Sequence, residues 1–157
     1  MEIQTKRLNI RKFVSGDIDS FMDYRNNIDW MRYQGFKGKS KAFYETELLH
    51  DVSLEKGMQL AIIHTDTKQL MGDIYLRKEN DTYWIGYTIH PQYARNGYAS
   101  EAMTGTINWV IDQGGKVIKA GVLPENDASI RLLEKLDFTY ETKIEDELIY
   151  TYNLYQR

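Results

Sequence analysis

Two segments of the chain combine residue types that suit the binding of a phosphorylated ligand. The first covers residues 90–102 and contains Arg95 and Gly97. We predict a loop that leads into a helix, whose free backbone N–H groups and positive dipole end would face an anion. Arg95 would add a full charge, and Gly97 would let the backbone approach the anion closely. An ordinary tight connection with a glycine turn is the structural alternative.

The second segment, residues 122–138, places an amide, a carboxylate and a hydroxyl at the start of a predicted helix. Asn126 or Asp127 would cap this helix, and Ser129 lies one turn further along. A capped amphipathic helix with no further role is the structural alternative. The chain has two prolines, and each stands between a predicted strand and the helix that follows it. The two prolines therefore mark the junctions where we expect a ligand to bind.

Hydrophobic periodicity predicts mostly strands in the first half of the chain. The predicted elements are a strand over 3–11 with Leu8 and Ile10 facing inward, a helix capped by Ser15 or Asp17 and running through Met22, a loop or short helix over 28–36, and a helix from Ser40 to about Val52. Three strands follow at 59–64, 70–76 and 83–90, joined by polar turns at 65–68 and 77–81. This arrangement indicates an antiparallel meander.

The second half alternates helices and strands. It predicts a helix over 99–113 ended by two glycines, a strand over 116–122, a helix over 127–136, and closing strands at 138–140 and 148–154. The connection from 83–90 to 116–122 is long enough for parallel pairing. The whole pattern indicates an α/β or α+β sheet with helices on both faces.

Composition excludes several classes of function. The 157 residues fit one domain, and 20 basic against 23 acidic residues argue against a general nucleic-acid binder. There is no cysteine, so the chain has no disulfide, no cysteine-liganded zinc and no cysteine nucleophile. Three histidines without metal-ligand spacing predict no metal site. The longest apolar run, 60–63, is too short for a membrane span or signal peptide, so we expect a cytoplasmic protein.

Four segments together resemble a known family. They are Thr5–Arg11, Ile85-Gly86-Tyr87 followed by His90-Pro91, Gly97-Tyr98-Ala99-Ser100-Glu101-Ala102, and Asn126-x-x-Ser129 followed by Glu134-Lys135-Leu136-x-Phe138. They resemble the acetyl-coenzyme A signature of the GNAT superfamily of N-acyltransferases. The nearest branch is that of ribosomal-protein N-terminal acetyltransferases and their spermidine- and antibiotic-modifying relatives. The resemblance implies a single GNAT-like α+β domain over 1–157, with a mixed, largely antiparallel twisted sheet of about six or seven strands.

The resemblance also implies which residues would hold acetyl-coenzyme A. The backbone of Thr88, Ile89 and His90 would pair with the pantetheine arm, and the N–H groups of Arg95, Asn96, Gly97, Tyr98 and Ala99 would hold the pyrophosphate. Asn126 would hydrogen-bond to the pantetheine, and Ser129 would lie near the sulfur. Arg131 and Lys135 are candidates for the adenosine phosphates, with a solvated helix face as the alternative.

Three departures from the family pattern bear on the chemistry. Arg95 stands where the phosphate loop usually has its first glycine. Leu133 stands where many relatives have a tyrosine that protonates the departing thiolate, and leucine has no proton to give. Trp84 replaces a carboxylate that often precedes the Ile-Gly-Tyr segment. The general base is therefore not assigned from that position.

Acetylation of an amine needs a base and a donor to the developing oxyanion. The acidic group Glu141, Glu145, Asp146 and Glu147 supplies candidate bases, and Asp146 or Glu147 would also attract a cationic acceptor. His90 is a further candidate base, and a backbone N–H of Ile89 or His90 would serve the oxyanion. We predict Ser129, Asn126 and Glu147 as the catalytic set. Trp30, Tyr33 and Phe36 are candidates for the wall of the acceptor pocket.

The resemblance implies direct transfer of an acetyl group from acetyl-coenzyme A to a primary amine, without a metal or a covalent acyl-enzyme. A protein N-terminus is the first choice of acceptor, and a polyamine or aminoglycoside is the second. A non-catalytic acyl-coenzyme A sensor is the alternative of another class, motivated by Leu133 and Trp84. Relatives often dimerise through sheet edges or C-terminal strands, which leaves a homodimer open.

Overall fold

A computed structural model describes residues 1–50 and 53–154, and within them the chain forms eight strands and four α-helices. The strands are β1 (Glu2–Gln4), β2 (Leu8–Lys12), β3 (Met58–His64), β4 (Leu70–Glu79), β5 (Thr82–Ile89), β6 (Val117–Val122), β7 (Thr139–Ile144) and β8 (Glu147–Asn153), and the helices are α1 (Ile18–Arg25), α2 (Lys41–Leu49), α3 (Tyr98–Asp112) and α4 (Asp127–Lys135). Val52, the predicted end of the second helix, lies outside the described residues.

All eight strands belong to one sheet in the order β1-β2-β3-β4-β5-β6-β8-β7. Every neighbouring pair is antiparallel except β5 and β6, which run parallel. The mixed, largely antiparallel α+β fold is therefore confirmed. None of the described helices has the length and apolar character that crossing a membrane requires.

The sheet has one strand more than the upper expected count because residues 3–11 form a hairpin rather than one strand. The Thr5 N–H donates to the Leu8 carbonyl at 2.9 Å, which turns the chain between β1 and β2. Leu8 and Ile10 are fully buried, as predicted. The turn predicted at 77–81 is also shorter, since β4 continues to Glu79. Asp17 precedes α1, but its carboxylate binds Arg11 and the Val14 N–H instead of capping the helix.

Helices cover both faces of the sheet, as predicted. Leu60 and Ile62 of β3 belong to a core that includes residues of α3 and α4, whereas Ala61 and Ile63 belong to a second core under α1 and α2. Successive side chains of a strand point to opposite faces, so a run of four apolar residues serves both cores. The two helical layers therefore hold the central strands from both sides.

The parallel pairing of β5 with β6 is short, and it opens a notch in the sheet. The ladder joins residues 82–84 to residues 117–119. Beyond it, β5 pairs with β4 and β6 pairs with β8. Residues 85–89 and 120–122 therefore line a gap between two otherwise neighbouring strands.

Candidate functional site

The notch between β5 and β6 leads into a cavity of about 80 Å³, here called the notch cavity. Its lining comes from five elements and two loops: Ile85, Gly86 and Tyr87 of β5, Met103 of α3, Ala120, Gly121 and Val122 of β6, Asn126, Ser129 and Leu133 at α4, Glu147 of β8, Leu123 after β6, and Tyr33 and Gln34 before α2. The structure thus brings all three residues predicted to be catalytic, Asn126, Ser129 and Glu147, to one cavity. Asn126 and Ser129 share the start of α4, as their spacing predicted, whereas Glu147 reaches the cavity from β8.

Asn126 begins α4 and caps it. Its Oδ1 atom accepts a hydrogen bond from the Ser129 N–H at 3.3 Å, as the sequence predicted for a helix cap. The cap uses the oxygen of the amide, so the Nδ2 group keeps its donors for a partner in the cavity. Capping and ligand binding are therefore compatible roles for one side chain.

Tyr87 was quoted in the motif but was given no role from the sequence. Its hydroxyl lies 3.0 Å from the Ser129 hydroxyl, across the notch from β5 to α4. Burial raises the pKa of Tyr87 above its ordinary value, and the bond to Ser129 opposes this in part. The alternation along β5 places Tyr87 on the same face as Ile85, toward α3 and α4, and this is the signal that could have drawn attention to it.

The predicted anion loop has the backbone shape that its sequence suggested. Gly97 has a φ of 79° and Arg95 a φ of 65°, both in the left-handed region. Arg95 therefore adopts a conformation that favours glycine, at a cost of about 1 kcal/mol. The His90 Nδ1 atom accepts from the Gln92 N–H at 3.1 Å and begins the tight turn before the loop.

The loop ends at the start of α3, where no side chain caps the helix. Gly97 stands at the cap position, so the first N–H groups of α3, at Tyr98 and Ala99, are not capped by a side chain. Asn96 instead uses its side-chain amide inside the loop, donating to the carbonyls of Tyr93 and Ala94. The arrangement fits an anion held by backbone groups and the helix dipole.

The side chain of Arg7 links this loop to the start of α3, and this set of contacts is here called the brace. The sequence did not single out Arg7 as a site residue. Its guanidinium donates to the Asn96 carbonyl at 3.2 Å and to Glu101 at 2.6 Å, and it lies 4.3 Å from the centre of the Tyr98 ring. Burial raises the pKa of Glu101, but hydrogen bonds from Thr5 and Arg7 outweigh burial and hold that pKa below its ordinary value. Arg7 thereby fixes β2 to the start of α3.

The end of β5 presents its backbone to the notch at alternate residues. The His90 N–H donates to the Met71 carbonyl of β4 at 2.8 Å, so it is not the donor to an oxyanion in this arrangement. Because antiparallel pairs alternate, Thr88 also bonds toward β4, whereas Tyr87 and Ile89 turn their backbone toward the notch. The Ile89 carbonyl accepts from the Trp30 indole N–H at 2.9 Å. Two backbone N–H groups, those of Ile89 and His90, were predicted as oxyanion donors. The Ile89 N–H therefore remains available for this role, whereas the His90 N–H does not.

A second cavity of about 280 Å³, here called the face cavity, lies on the opposite face of β5. It shares Gly86, Tyr87, Gly121 and Glu147 with the notch cavity. The absence of a side chain at Gly121 makes room for Glu147, because a Cβ at position 121 would lie 3.1 Å from the carboxylate. Among the described residues, Glu147 is the one carboxylate that lines both cavities.

In the lining of the face cavity, Arg25 and Asp73 pair with each other, whereas Gln59 and Trp84 each have a buried polar atom without a hydrogen-bond partner among the described residues. Arg25 and Asp73 form an ion pair at 2.7 Å, with side chains 4% and 1% exposed. Burial acts to lower the pKa of Arg25, but Asp73 outweighs it and raises that pKa. Trp84, in contrast, has a buried Nε1 atom with no hydrogen-bond partner among the described residues. Asp73 is therefore neutralised, while Trp84 retains a donor.

The remaining predicted residues divide between the cavities and the surface. Tyr33 lines the notch cavity and Phe36 lines the face cavity. Glu141 binds Thr151 and Lys119, which lower its pKa, and Glu145 and Asp146 form the exposed turn after β7. Lys135 lines a broad surface hollow with Gly97 and Ser100, whereas Arg131 is exposed on α4 and does not line it. Among the described residues no group of three or more side chains could hold a metal ion.

Comparisons with known proteins show what this chain is similar to. The family model described as an acetyltransferase (GNAT) domain matches residues 7–139. The uncharacterized N-acetyltransferase p20 of Bacillus licheniformis is 30% identical over 152 residues, which covers 92% of this chain and 85% of that protein. The uncharacterized N-acetyltransferase YoaA of Bacillus subtilis is 29% identical over 147 residues, covering 88% and 83%.

Solved structures share the fold. A GNAT-family acetyltransferase from Bacillus anthracis has a TM-score of 0.84 at 26% identity, covering 98% of both chains. RimL, a ribosomal L7/L12 α-N-protein acetyltransferase solved with coenzyme A, has a TM-score of 0.83 at 14% identity, again covering 98% of both chains. At 14% identity, the similarity to RimL shows a shared fold and nothing more.

Proposed function

This chain belongs to the GNAT family of acetyltransferases and is an acetyl-coenzyme A-dependent N-acetyltransferase, and from that premise we propose that its acceptor is the α-amino group of a protein N-terminus. The observation that carries the proposal is the charge balance of the face cavity. Among its described lining residues, Arg25 and Asp73 neutralise each other and Arg77 pairs with Glu79 at 2.9 Å, so Glu147 supplies a single negative charge, which matches an acceptor with one amino group. A polyamine or aminoglycoside carries several positive charges and is favoured by a surplus of carboxylates.

The pKa of the acceptor amine also favours a protein N-terminus. An α-amino group has a pKa of about 8, so part of it is neutral at physiological pH, whereas a lysine-like amine titrates near 10.4. A single carboxylate at the junction of the cavities suffices for an amine that is already partly deprotonated. Glu147 holds that position and is the base in this proposal.

The donor would lie in the notch and along the start of α3. The pantetheine arm would lie along the strand edge at residues 87–89, where Tyr87 and Ile89 turn their backbone outward, and its thioester oxygen would meet the Ile89 N–H. The loop from Arg95 to Ala99 would hold the pyrophosphate, and Asn126 would donate its Nδ2 group to the pantetheine. Lys135 shares a hollow with the start of α3 and is favoured over Arg131 for the adenosine phosphates.

The reaction follows from these positions. Glu147 takes a proton from the amine as its nitrogen attacks the thioester carbon, and the Ile89 N–H donates to the oxygen that becomes negative. When the carbon–sulfur bond breaks, its electron pair passes to the sulfur, and the Ser129 hydroxyl donates a hydrogen bond to it. A thiol of pKa about 8.5 leaves as a thiolate with modest help, so no covalent enzyme intermediate is needed.

A thiol-release assay with acetyl-coenzyme A and a panel of amines tests the acceptor. The panel contains peptides with a free N-terminus and varied first residues, the same peptides with blocked N-termini and a free lysine, spermidine, and an aminoglycoside. We expect turnover with free N-termini at more than ten times the rate of any other acceptor. Mass spectrometry of the peptide product locates the acetyl group.

Two outcomes contradict the proposal in different ways. Faster turnover of spermidine or the aminoglycoside would replace the acceptor and leave the transferase chemistry intact. Tight binding of acetyl-coenzyme A without turnover of any amine would support a sensor in place of an enzyme. The binding measurement is made by calorimetry, which does not depend on the acceptor.

A further inference from the structure

The hydroxyl groups of Tyr87 and Ser129 form a pair to which the family resemblance assigned no joint role. They lie 3.0 Å apart, although 42 residues separate them in the chain. Both residues line the notch cavity together with Leu133, which is 3% exposed. Leu133 stands where the family resemblance implies a tyrosine in many relatives, and in this chain the phenol that contacts Ser129 comes from β5.

Packing alone does not account for the hydroxyl of Tyr87. The ring packs against the core between the sheet and α3, a contact that phenylalanine would make equally well. The hydroxyl instead faces another hydroxyl at the edge of a cavity. Since burial raises the pKa of Tyr87, the phenol keeps its proton at physiological pH and is able to donate it.

A hydroxyl has one proton and can donate one hydrogen bond at a time. If Tyr87 donates to the Ser129 oxygen, the proton of Ser129 is free to turn toward a third atom. If Ser129 donated to Tyr87 instead, that proton would be occupied. The direction of this one bond therefore decides whether Ser129 can donate to the sulfur.

We propose that Tyr87 is a positioning residue, which donates to Ser129 and thereby directs the Ser129 proton toward the departing sulfur. The inference rests on the placement of Ser129 beside the sulfur in the proposed function, but not on the identity of the acceptor. The carbon–sulfur bond breaks, its electron pair stays on the sulfur, and the chain from Tyr87 through Ser129 stabilises that charge. Neither hydroxyl has to give up its proton. The amine proton passes to Glu147, and the thiolate is protonated later by water.

The variant Tyr87→Phe tests the hydroxyl while keeping the ring. We expect kcat to fall by about tenfold, the value of one hydrogen bond made in the transition state. The KM for acetyl-coenzyme A should change by less than twofold. Tyr83→Phe is the matched control, because Tyr83 lies on the same face of β5 in the core, against Trp109, and should leave kcat unchanged. Rates are measured with the fastest amine of the panel, whichever class it belongs to.

A double-mutant cycle separates positioning from packing. If Tyr87 acts through Ser129, Ser129→Ala with Tyr87→Phe loses no more kcat than Ser129→Ala alone. An acetyl selenoester analogue of the donor, whose leaving group is more acidic, should also restore most of the Tyr87→Phe loss. An unchanged kcat in Tyr87→Phe, additive losses in the double variant, or no restoration with the selenoester would each overturn the proposal. Failure of the N-terminal acceptor would not, because the cycle uses any amine that turns over.

Discussion

At the scale of single residues, the neighbours of each carboxylate decide which one is available to act as a base. Asp73 is held by Arg25, and Glu141 is held by Lys119 and Thr151. A carboxylate already paired with a cation has a low affinity for another proton. Among the described residues that line the two cavities, Glu147 is the carboxylate with no cation paired to it.

Glu147→Gln keeps the size of the side chain and removes the base. We expect kcat to fall by about 100-fold, the lower range for loss of general base catalysis, with little change in melting temperature. Glu145→Gln is the matched control, since Glu145 lies two residues earlier in the exposed turn and should keep kcat within twofold. Steady-state kinetics with the preferred amine check both variants. Equal kcat values for the two variants would remove Glu147 from the mechanism.

Asn126 has two roles that one substitution can separate. Asn126→Asp keeps an oxygen to cap α4 but loses the Nδ2 donors, so we expect normal stability and a KM for acetyl-coenzyme A raised about fivefold. Asn126→Ala loses both functions and should also lower the free energy of unfolding by about 1 kcal/mol. Glu141→Ala serves as the comparison and should impair activity less than either. A wild-type KM in Asn126→Asp would leave Asn126 as a helix cap only.

At the scale of elements, local patterns predicted most helices and strands but misjudged their ends. The caps at Ser40 and Asn126 and the glycines after α3 carry local signals, so the sequence places those helices well. Residues 77–79 are charged and resemble a turn, yet the ladder with β5 extends β4 through them. Pairing between distant strands is not encoded locally, so the charged end of β4 could not be recognised.

The brace between β2 and the start of α3 predicts a pH-dependent contribution to stability. The pKa of Glu101 is lowered in the folded protein, so its contribution is present above the ordinary value of 4.5 and is lost as pH falls through the lowered folded value. Glu101→Gln should therefore be less stable than the wild type by about 1 kcal/mol at pH 7. The two proteins should converge in strongly acidic buffer. Urea unfolding from pH 7 to pH 3 measures the difference, and a constant difference would contradict the assignment.

At the scale of the whole molecule, the contacts that assemble the site join segments far apart in the chain. The helix starts and the glycine loop were recognisable because each is local. The pairing of Tyr87 with Ser129 and the brace of Arg7 on Asn96 were not, since they depend on the sheet order and on where β5 and β6 separate. Spacing placed Asn126 and Ser129 at the start of one helix, and Glu147 was one of several acidic candidates near the last strand. That β8 brings Glu147 to the same cavity depends on the sheet order.

The buried pair of Arg25 and Asp73 connects the α1 layer, the sheet and the segment before α2. Arg25 also donates to the Phe36 carbonyl at 3.0 Å and to the Thr88 hydroxyl at 3.2 Å, and Tyr24 donates to Asp73. One guanidinium therefore fixes the wall of the face cavity to the strand that borders the notch. Removal of either partner would leave a buried charge without compensation.

Arg25→Met should lower the free energy of unfolding by about 3–5 kcal/mol, because Asp73 would remain buried and unpaired. Lys119→Met breaks the more exposed pair with Glu141 and should lower it by less than about 1 kcal/mol. The double variant Arg25→Met with Asp73→Leu removes both charges and should regain part of the loss. Urea unfolding at pH 7 compares the three. If Arg25→Met and Lys119→Met cost the same, the pair does not hold the layers together, and the wall of the face cavity must depend on the aromatic packing of Phe36 against Phe21 and Tyr44.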